Sequence, residues 1–339
     1  MTTSEQGCEL SLAEAEDAFH VLPDRWQLAS LHPGQAHVDA LRNSSLRPVH
    51  WSFRRDAQCY LHSFHLRANR RLALNDILSP YGYGGPFANS DDTAFLQAAD
   101  RAYCAWARQN GVVAEFLRFH PLVPYAQWYA GRMAFNRHTV CVDLTQDLLM
   151  QCEPRRRTDI RRFAETGLNV VQVPAATMIQ VFPALYRQNM KRVAANHEYF
   201  FSEAYFDALL RSPCTESWLV YLGAEPVAGA VILVSARATT VEYHLSAVAD
   251  GFERRRPMIG LLHSVAVHYQ ASSFQRFYLG GGRSTKEDDS LLYFKKGFST
   301  MAMPYMLGSR IHDIGRYEQL KAMFPAKAAT GRIHFYEDE

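Results

Sequence analysis

The chain has 339 residues, enough for two cores, since single hydrophobic cores stop growing at roughly 250–300 residues. A formal net charge of +2 and a pI near 8.2 exclude a protein that holds nucleic acid by bulk charge, and 48% hydrophobic residues describe a packed globular chain. Six cysteines (Cys8, Cys59, Cys104, Cys141, Cys152, Cys214) stand apart without a C-x-x-C pair, which points to reduced thiols and away from a disulfide framework or a zinc knuckle.

Met1 to His20 is acidic and polar without an apolar run, so no signal peptide is expected, and the longest apolar stretch, Ala228 to Val234, has only a strand's length. The expectation is a soluble, cytoplasmic protein. Residues 1–46 read as a polar lead with short helices. Alternation from Pro48 to Leu66 predicts a hairpin turning at Arg54-Arg-Asp-Ala57. A loop of glycine, proline and tyrosine follows, Ser79-Pro-Tyr-Gly-Tyr-Gly-Gly-Pro86; then Asp91-Asp-Thr93 caps a helix that Gly111 ends. Ala114 to Pro121 predicts a strand ending at His120, and Thr139 to Leu144 another. Pro154-Arg-Arg-Arg-Thr-Asp-Ile-Arg-Arg-Phe163 opens a helix that stops at Gly167, and residues 175–211 hold two more.

The second half repeats the plan. A hairpin spans Trp218 to Val234, a strand Thr239 to Ala247, a helix Pro257 to Ala271 and a strand Arg276 to Leu279. From Tyr81 to Glu115 is 34 residues and from Tyr243 to Arg276 is 33, so loop, helix and strand recur at nearly one spacing. The domains expected are 1–150 and 151–339, and the tail beyond Tyr305 carries no clear pattern.

The chemistry concentrates in Phe277 to Phe298. Three glycines, Gly280 to Gly282, let backbone approach a ligand and reach positive φ. A helix behind Asp288-Asp-Ser290 then delivers Phe294, Lys295 and Lys296. Exposed N–H groups at such a helix start favour an anion or a developing oxyanion. Lys295 is the candidate to face a carbonyl turning tetrahedral, a contribution of roughly 3–4 kcal/mol where such donors have been removed; otherwise it is a solvated lysine, as Lys296 is. His120 either deprotonates an incoming ammonium or packs ahead of Pro121. Tyr81 and Tyr83 flank glycines and offer stacking or hydrogen bonds to a substrate. Glu242 and His244 share one strand face and Tyr243 the other, so one set or the other points at a ligand. Arg157 and Arg161 are i,i+4 neighbours in a basic helix, Arg254, Arg255 and Arg256 precede a helix start, and Arg283 follows the glycines. These arginines, with Gly280 and Gly281, are the candidates for donor phosphates, and Arg283 also for substrate. No cysteine pairs with a histidine in a local nucleophile motif, and no metal is assigned.

Leu291-Leu-Tyr-Phe-Lys-Lys-Gly-Phe298, preceded by Tyr278-Leu-Gly-Gly-Gly, resembles the C-terminal signature of FemAB-type transferases and their acetyltransferase-like relatives. Ser79 to Pro86 is similar to the glycine–proline segment of their first domain, and Arg155 to Phe163 to the basic helix opening their second. The resemblance spans about residues 48–300. It implies an α/β chain of two tandem GNAT-like domains, each a mixed twisted sheet flanked by helices, with the donor site on the second or a cleft between them. It also places the electrostatic role on Lys295. The implied activity moves an acyl or aminoacyl group from acyl-CoA or aminoacyl-tRNA to an amine of a cell-envelope precursor, an amino sugar or a peptide, with no tightly bound cofactor. Two stretches depart from the pattern. Gly251 to Gly260 does not fit the R/Q-x-x-G-x-G/A pyrophosphate loop, and His120-Pro121 stands where bridge-forming enzymes carry Asp-Pro. A non-catalytic module binding a nucleotide sugar or glycan through Tyr81, Tyr83 and the arginines is the alternative.

Overall fold

The computed structural model describes residues 7–286 and 288–337, so the expectation drawn from Met1 to His20 rests partly on residues outside the described ones. The chain runs β1 (Cys8–Leu10), α1 (Leu12–His20), α2 (Pro33–Ala40), β2 (Leu46–Arg55), β3 (Gln58–Asn69), β4 (Leu74–Leu78), β5 (Phe87–Ala88), α3 (Thr93–Gln109), β6 (Val112–Arg118) and β7 (Arg132–Asp143). It continues through α4 (Leu148–Gln151), α5 (Pro154–Phe163), β8 (Leu168–Val173), α6 (Ala175–Arg192), α7 (Glu203–Arg211), β9 (Thr215–Leu222), β10 (Glu225–Ser235) and β11 (Thr240–Val248). It ends with α8 (Pro257–Ala271), β12 (Arg276–Gly280), α9 (Ser290–Lys296), β13 (Ala302–Ile311), α10 (Ile314–Met323) and α11 (Pro325–Ala328).

Local chemistry explains the helix limits. Asp92 caps α3 by accepting from the amides of Ala94 and Phe95, and Phe95, Ala99, Tyr103 and Ala107 recur every fourth residue as its buried stripe. Helix α5 starts on Pro154 and closes through a 3₁₀ turn to Gly167, whose φ of 70° favours glycine. Helix α8 is largely buried: Ile259, Leu261, Leu262 and Val265 pack with Val220, Ile232 and Val241 in the core of the second unit, while Val267 and His268 reach solvent. Gly260 leaves room for the Phe163 ring of α5, which a Cβ would meet.

The chain divides into two compact units, residues 1–136 with 304–339, and residues 137–303. This differs from a cut between 150 and 151, and strand topology gives the reason. In the first unit the strands lie in the order β1-β2-β3-β4-β6-β13, in the second β8-β9-β10-β11-β12-β7. Each is an antiparallel run of four strands, one parallel step made through a helix (β4 to β6 through α3, β11 to β12 through α8), and one last antiparallel strand. That last strand is exchanged. β7, which follows β6, completes the second unit at Val140–Asp143, and β13, which follows β12, completes the first at Leu307–Ile311. The tail without a sequence pattern thus belongs to the first unit, where Tyr317, Leu320, Phe335 and Tyr336 pack with Leu74 and Val113. Strand β12 is flanked by β7 and β11 and is not a sheet edge.

Candidate functional site

The parallel step of the second unit is short. β11 and β12 pair at Thr240 with Arg276, Val241 with Phe277 and Glu242 with Tyr278, after which β11 continues alone on that side to Val248. Where this pairing stops, the register against β10 jumps: Ile232 faces Tyr243, but Val231 faces Leu245. His244 is therefore an extra residue, a β-bulge, which bends a strand and sharpens its twist. The bulge breaks the expected alternation of Glu242, Tyr243 and His244. It brings Tyr243 and Ser246, three residues apart, to one side, where the Tyr243 hydroxyl donates to Ser246 Oγ. His244 is half-buried, with Nε2 3.4 Å from the Tyr205 hydroxyl. Burial pushes the Tyr243 hydroxyl up to about 12.

On the other side of this fork, β12 ends in the glycines. Gly280 has φ 78°, a conformation that disfavours side chains, and Gly281 follows it in the turn. Asp289 Oδ2 accepts from the amides of Arg283 and Ser284, while Oδ1 caps α9 at Leu291 and Leu292. Although burial opposes it, these amides and the Ser284 hydroxyl hold the Asp289 carboxyl at about 2. Helix α9 then sends Lys295 back: Nζ donates to the Gly281 carbonyl at 2.8 Å and lies 5.5 Å over the Tyr243 ring. Lys295 is 7% exposed, neither a solvated lysine nor one standing in an open groove. Burial pushes it down to about 7, with Asp289 pulling the other way.

A cavity of about 330 Å³ opens at the start of α8. Its walls include Arg155, Arg156, Arg256, Met258, Ile259 and Phe294, and Lys295 is not among them. The residue before α8, Arg256, is left-handed at φ 53° and offers no side-chain cap; Pro257 has no amide N–H and the Ile259 amide donates to the Arg256 carbonyl, which leaves the Met258 amide at this helix start. Arg256 is paired with Asp159 at 2.6 Å, and Arg192 with Asp250 and Glu253. Of the arginines expected to hold phosphate, only Arg256 lines the cavity; Arg157, Arg161, Arg254 and Arg255 do not. Arg283 is exposed, held in place by its own amide. Arg156 takes the buried place instead. The sequence signal for it is its position: Arg156 lies on the apolar stripe with Ile160 and Phe163, four and seven residues on.

The remaining expected residues belong to the first unit. His120 lies two residues past the end of β6 and is fully buried, with Nδ1 accepting from the Leu122 amide and its ring 4.5 Å from that of Tyr83. That is the packed-histidine arrangement. Tyr81 donates its amide to Asp39 and lies under the Arg42 guanidinium at 4.5 Å, and Tyr83 also packs edge-on with Tyr305. A larger cavity, about 590 Å³, lies beneath the tail of this unit, bordered by Arg132, Arg310, Lys321 and Arg332. Among the described residues no His, Cys, Asp or Glu cluster could hold a metal, and no helix is long and apolar enough to cross a membrane.

The matched span begins in α4 and stops at the lysine just described. Residues 151–295 match the acetyltransferase (GNAT) domain family. The whole chain shares its fold with solved structures of low identity. FemX aligns at 12% identity over 94% of this chain and 99% of its own, with a TM-score of 0.69. L-PGS from Bacillus licheniformis aligns at 13% over 91% and 94%, with a TM-score of 0.62. The C-terminal domain of a proposed lysylphosphatidylglycerol synthetase from Agrobacterium fabrum aligns at 15% over 93% and 97%, with a TM-score of 0.60. No curated protein sequence matches the chain. The GNAT match supports an acyltransferase role for the second unit.

Proposed function

We propose that the second unit transfers an acyl or aminoacyl group from an activated, phosphate-bearing donor to an amine. The observation that carries this reading is the Lys295 ammonium, buried at the fork of β11 and β12 with one of its three donors on the Gly281 carbonyl. The donor carbonyl enters the fork, and the amine nitrogen attacks its carbon. The carbonyl oxygen, now an oxyanion, takes a remaining Lys295 N–H, and the low-dielectric setting makes that donor strong. His244, at the bulge, takes the amine proton and returns it to the leaving thiolate or ribose oxygen as the intermediate collapses. No covalent enzyme intermediate forms. The phosphates of the donor lie in the cavity at the α8 start, which uses Arg156 and Arg256 in place of a glycine loop.

The family of residues 151–295 makes acyl-CoA the first donor to test. The fold shared with FemX and with lysylphosphatidylglycerol synthetase structures supports an acceptor among cell-envelope precursors and keeps aminoacyl-tRNA as the second donor. Purified protein is titrated with acetyl-CoA and with charged tRNA at two salt concentrations. A tRNA donor loses affinity steeply with salt, because each neutralised phosphate releases counterions; acetyl-CoA does so weakly. Transfer to an amine with either donor, lowered about a hundredfold or more in Lys295→Ala and reduced in His244→Gln, is the expected result. Full transfer by Lys295→Ala removes Lys295 from the mechanism.

A further inference from the structure

The first unit has a cavity of its own, about 590 Å³, a size typical of small-molecule sites, and the transfer reading makes no use of it. Its walls come from the residues leading into β7 (130–132), the end of β13 (309–311), α10, α11 and the tail from Gly331 to Phe335. Gly331, at φ 73°, turns the chain out of α11 into that tail. The tail is then tied down. The Tyr336 hydroxyl donates to Asp76 at 2.6 Å, and the Tyr317 hydroxyl donates to the Ile333 carbonyl at 3.1 Å. The protein's own hydrogen bonds fix this wall, so the cavity stands preformed.

The lining is of two kinds. Ile311, Tyr317, Ile333 and Phe335 are apolar and belong to, or pack on, the core of this unit. Arg132 and Arg332 are exposed and Lys321 is half-buried, so these cations stand toward solvent and the apolar groups inside. No acidic side chain lines the cavity. Among the described residues neither Arg132 nor Arg332 has an acidic partner. Lys321 pairs with Glu318 at 2.8 Å, but both side chains are largely exposed, and such pairs hold a lysine weakly. Arg310 differs: Asp100 at 2.8 Å and Glu115 at 3.8 Å match its charge, and it calls for no ligand. Three weakly held cations around an apolar interior describe one ligand chemistry, an anionic head on a hydrocarbon tail. A wholly polar anion would leave the apolar walls to water, and a neutral hydrocarbon would leave the cations unmatched.

We propose that this cavity binds a single-chain amphiphilic anion, with its carboxylate or phosphate head on Arg132, Arg332 and Lys321 and its alkyl chain against Ile311, Ile333 and Phe335. The occupant is the free monomer, because the fixed tail walls off the apolar part from a chain still embedded in a bilayer. The site lies wholly in the first unit and does not depend on the transfer reading.

The test uses the full chain and dodecanoate, below its micelle concentration, as the probe. Acetate supplies the head without the tail, and dodecyltrimethylammonium the tail with the opposite charge. Calorimetry measures binding, and hydrogen exchange follows the segment from Pro325 to Phe335. Wild type is expected to bind dodecanoate and dodecyl phosphate alike and to slow exchange of that segment. Acetate should bind about a hundredfold more weakly or less, and the cation at least about tenfold more weakly. Arg132→Gln combined with Arg332→Gln should weaken dodecanoate at least about tenfold; both side chains are exposed, and an unchanged melting temperature checks that the fold is kept. Ala328→Trp fills the cavity and removes binding. If that variant does not fold, the arginine pair decides by the same readouts. Dodecanoate bound equally by wild type and the arginine variant overturns the proposal, as does acetate bound as tightly as dodecanoate. A wild type that binds neither monomer overturns it too, whether or not it binds vesicles of an anionic phospholipid.

Discussion

The two units share one topology and differ at each point where a ligand could enter. In the first, the helix of the parallel step is capped from within: Asp92 accepts from the first amides of α3. In the second, Arg256 leaves the start of α8 uncapped. The strand before the step is broken in the first unit into β4 and β5 by the Ser79–Pro86 loop, and both pieces pair with β3. In the second it runs unbroken as β11 and parts from β12 at a one-residue bulge. Buried charge follows the same division. In the first unit Glu115 accepts from Tyr103 and His312 and Arg310 pairs with Asp100, a buried cluster of charges that bond one another. The second keeps Lys295 on a single carbonyl and half of Arg156 on nothing.

The largest effect expected from this contrast is at Lys295. Lys295→Met should reduce transfer by about 10²–10³-fold, the loss seen when one oxyanion donor is removed. It should also raise stability, because a buried ammonium disfavours the fold. The folded lysine sits at about 7 against a usual 10.5, so between those pH values the unfolded chain holds more protons and stability climbs with pH. Melting temperatures of the Met variant and wild type should therefore differ more at pH 6 than at pH 9. An equal difference at both would mean that Lys295 is not desolvated.

The next effect belongs to the first unit and to acid. Burial pushes His50, His62 and His334 down to about 4. Neutral in the fold and more basic when unfolded, they contribute stability that is present above about pH 6.5 and lost as pH falls toward 4. Hydrogen exchange between pH 7 and pH 4.5 should show the first unit opening before the second. His62 is fully buried with neither ring nitrogen bonded, so His62→Leu should blunt this acid sensitivity. His312 runs the other way. Despite burial, Cys104 and Glu115 push it up to about 9, so its contribution is complete below about 6.5 and fades as pH rises through 9.

Smaller changes sharpen the comparison of helix starts. Asp92→Ala should cost about 1 kcal/mol in denaturant melts, as lost N-caps do. An Arg256→Asp change should give α8 the cap that α3 has, and weaken pyrophosphate binding. If Arg256→Asp binds pyrophosphate as wild type does, the difference between the two helix starts has no bearing on ligand choice.

Several elements were legible because their causes are local. Asp92 and Gly111 bound α3, Pro154 and Gly167 bound α5 and its turn, and Pro257 to Ala271 is α8 to the residue. The glycine turn and the helix that carries Lys295 and Lys296 were legible too, and the family resemblance put the electrostatic role on Lys295. What the sequence determined is that two similar α/β modules follow one another and that a lysine follows a glycine turn in the second. Tertiary structure alone decided the strand exchange, which moved the boundary and gave the patternless tail to the first unit. It also decided the bulge at His244, which follows from register against β10, and the choice of Arg156 among five crowded arginines. Spacing along a chain records which face a residue occupies; whether that face meets solvent, a carbonyl or a cavity depends on partners more than a hundred residues away.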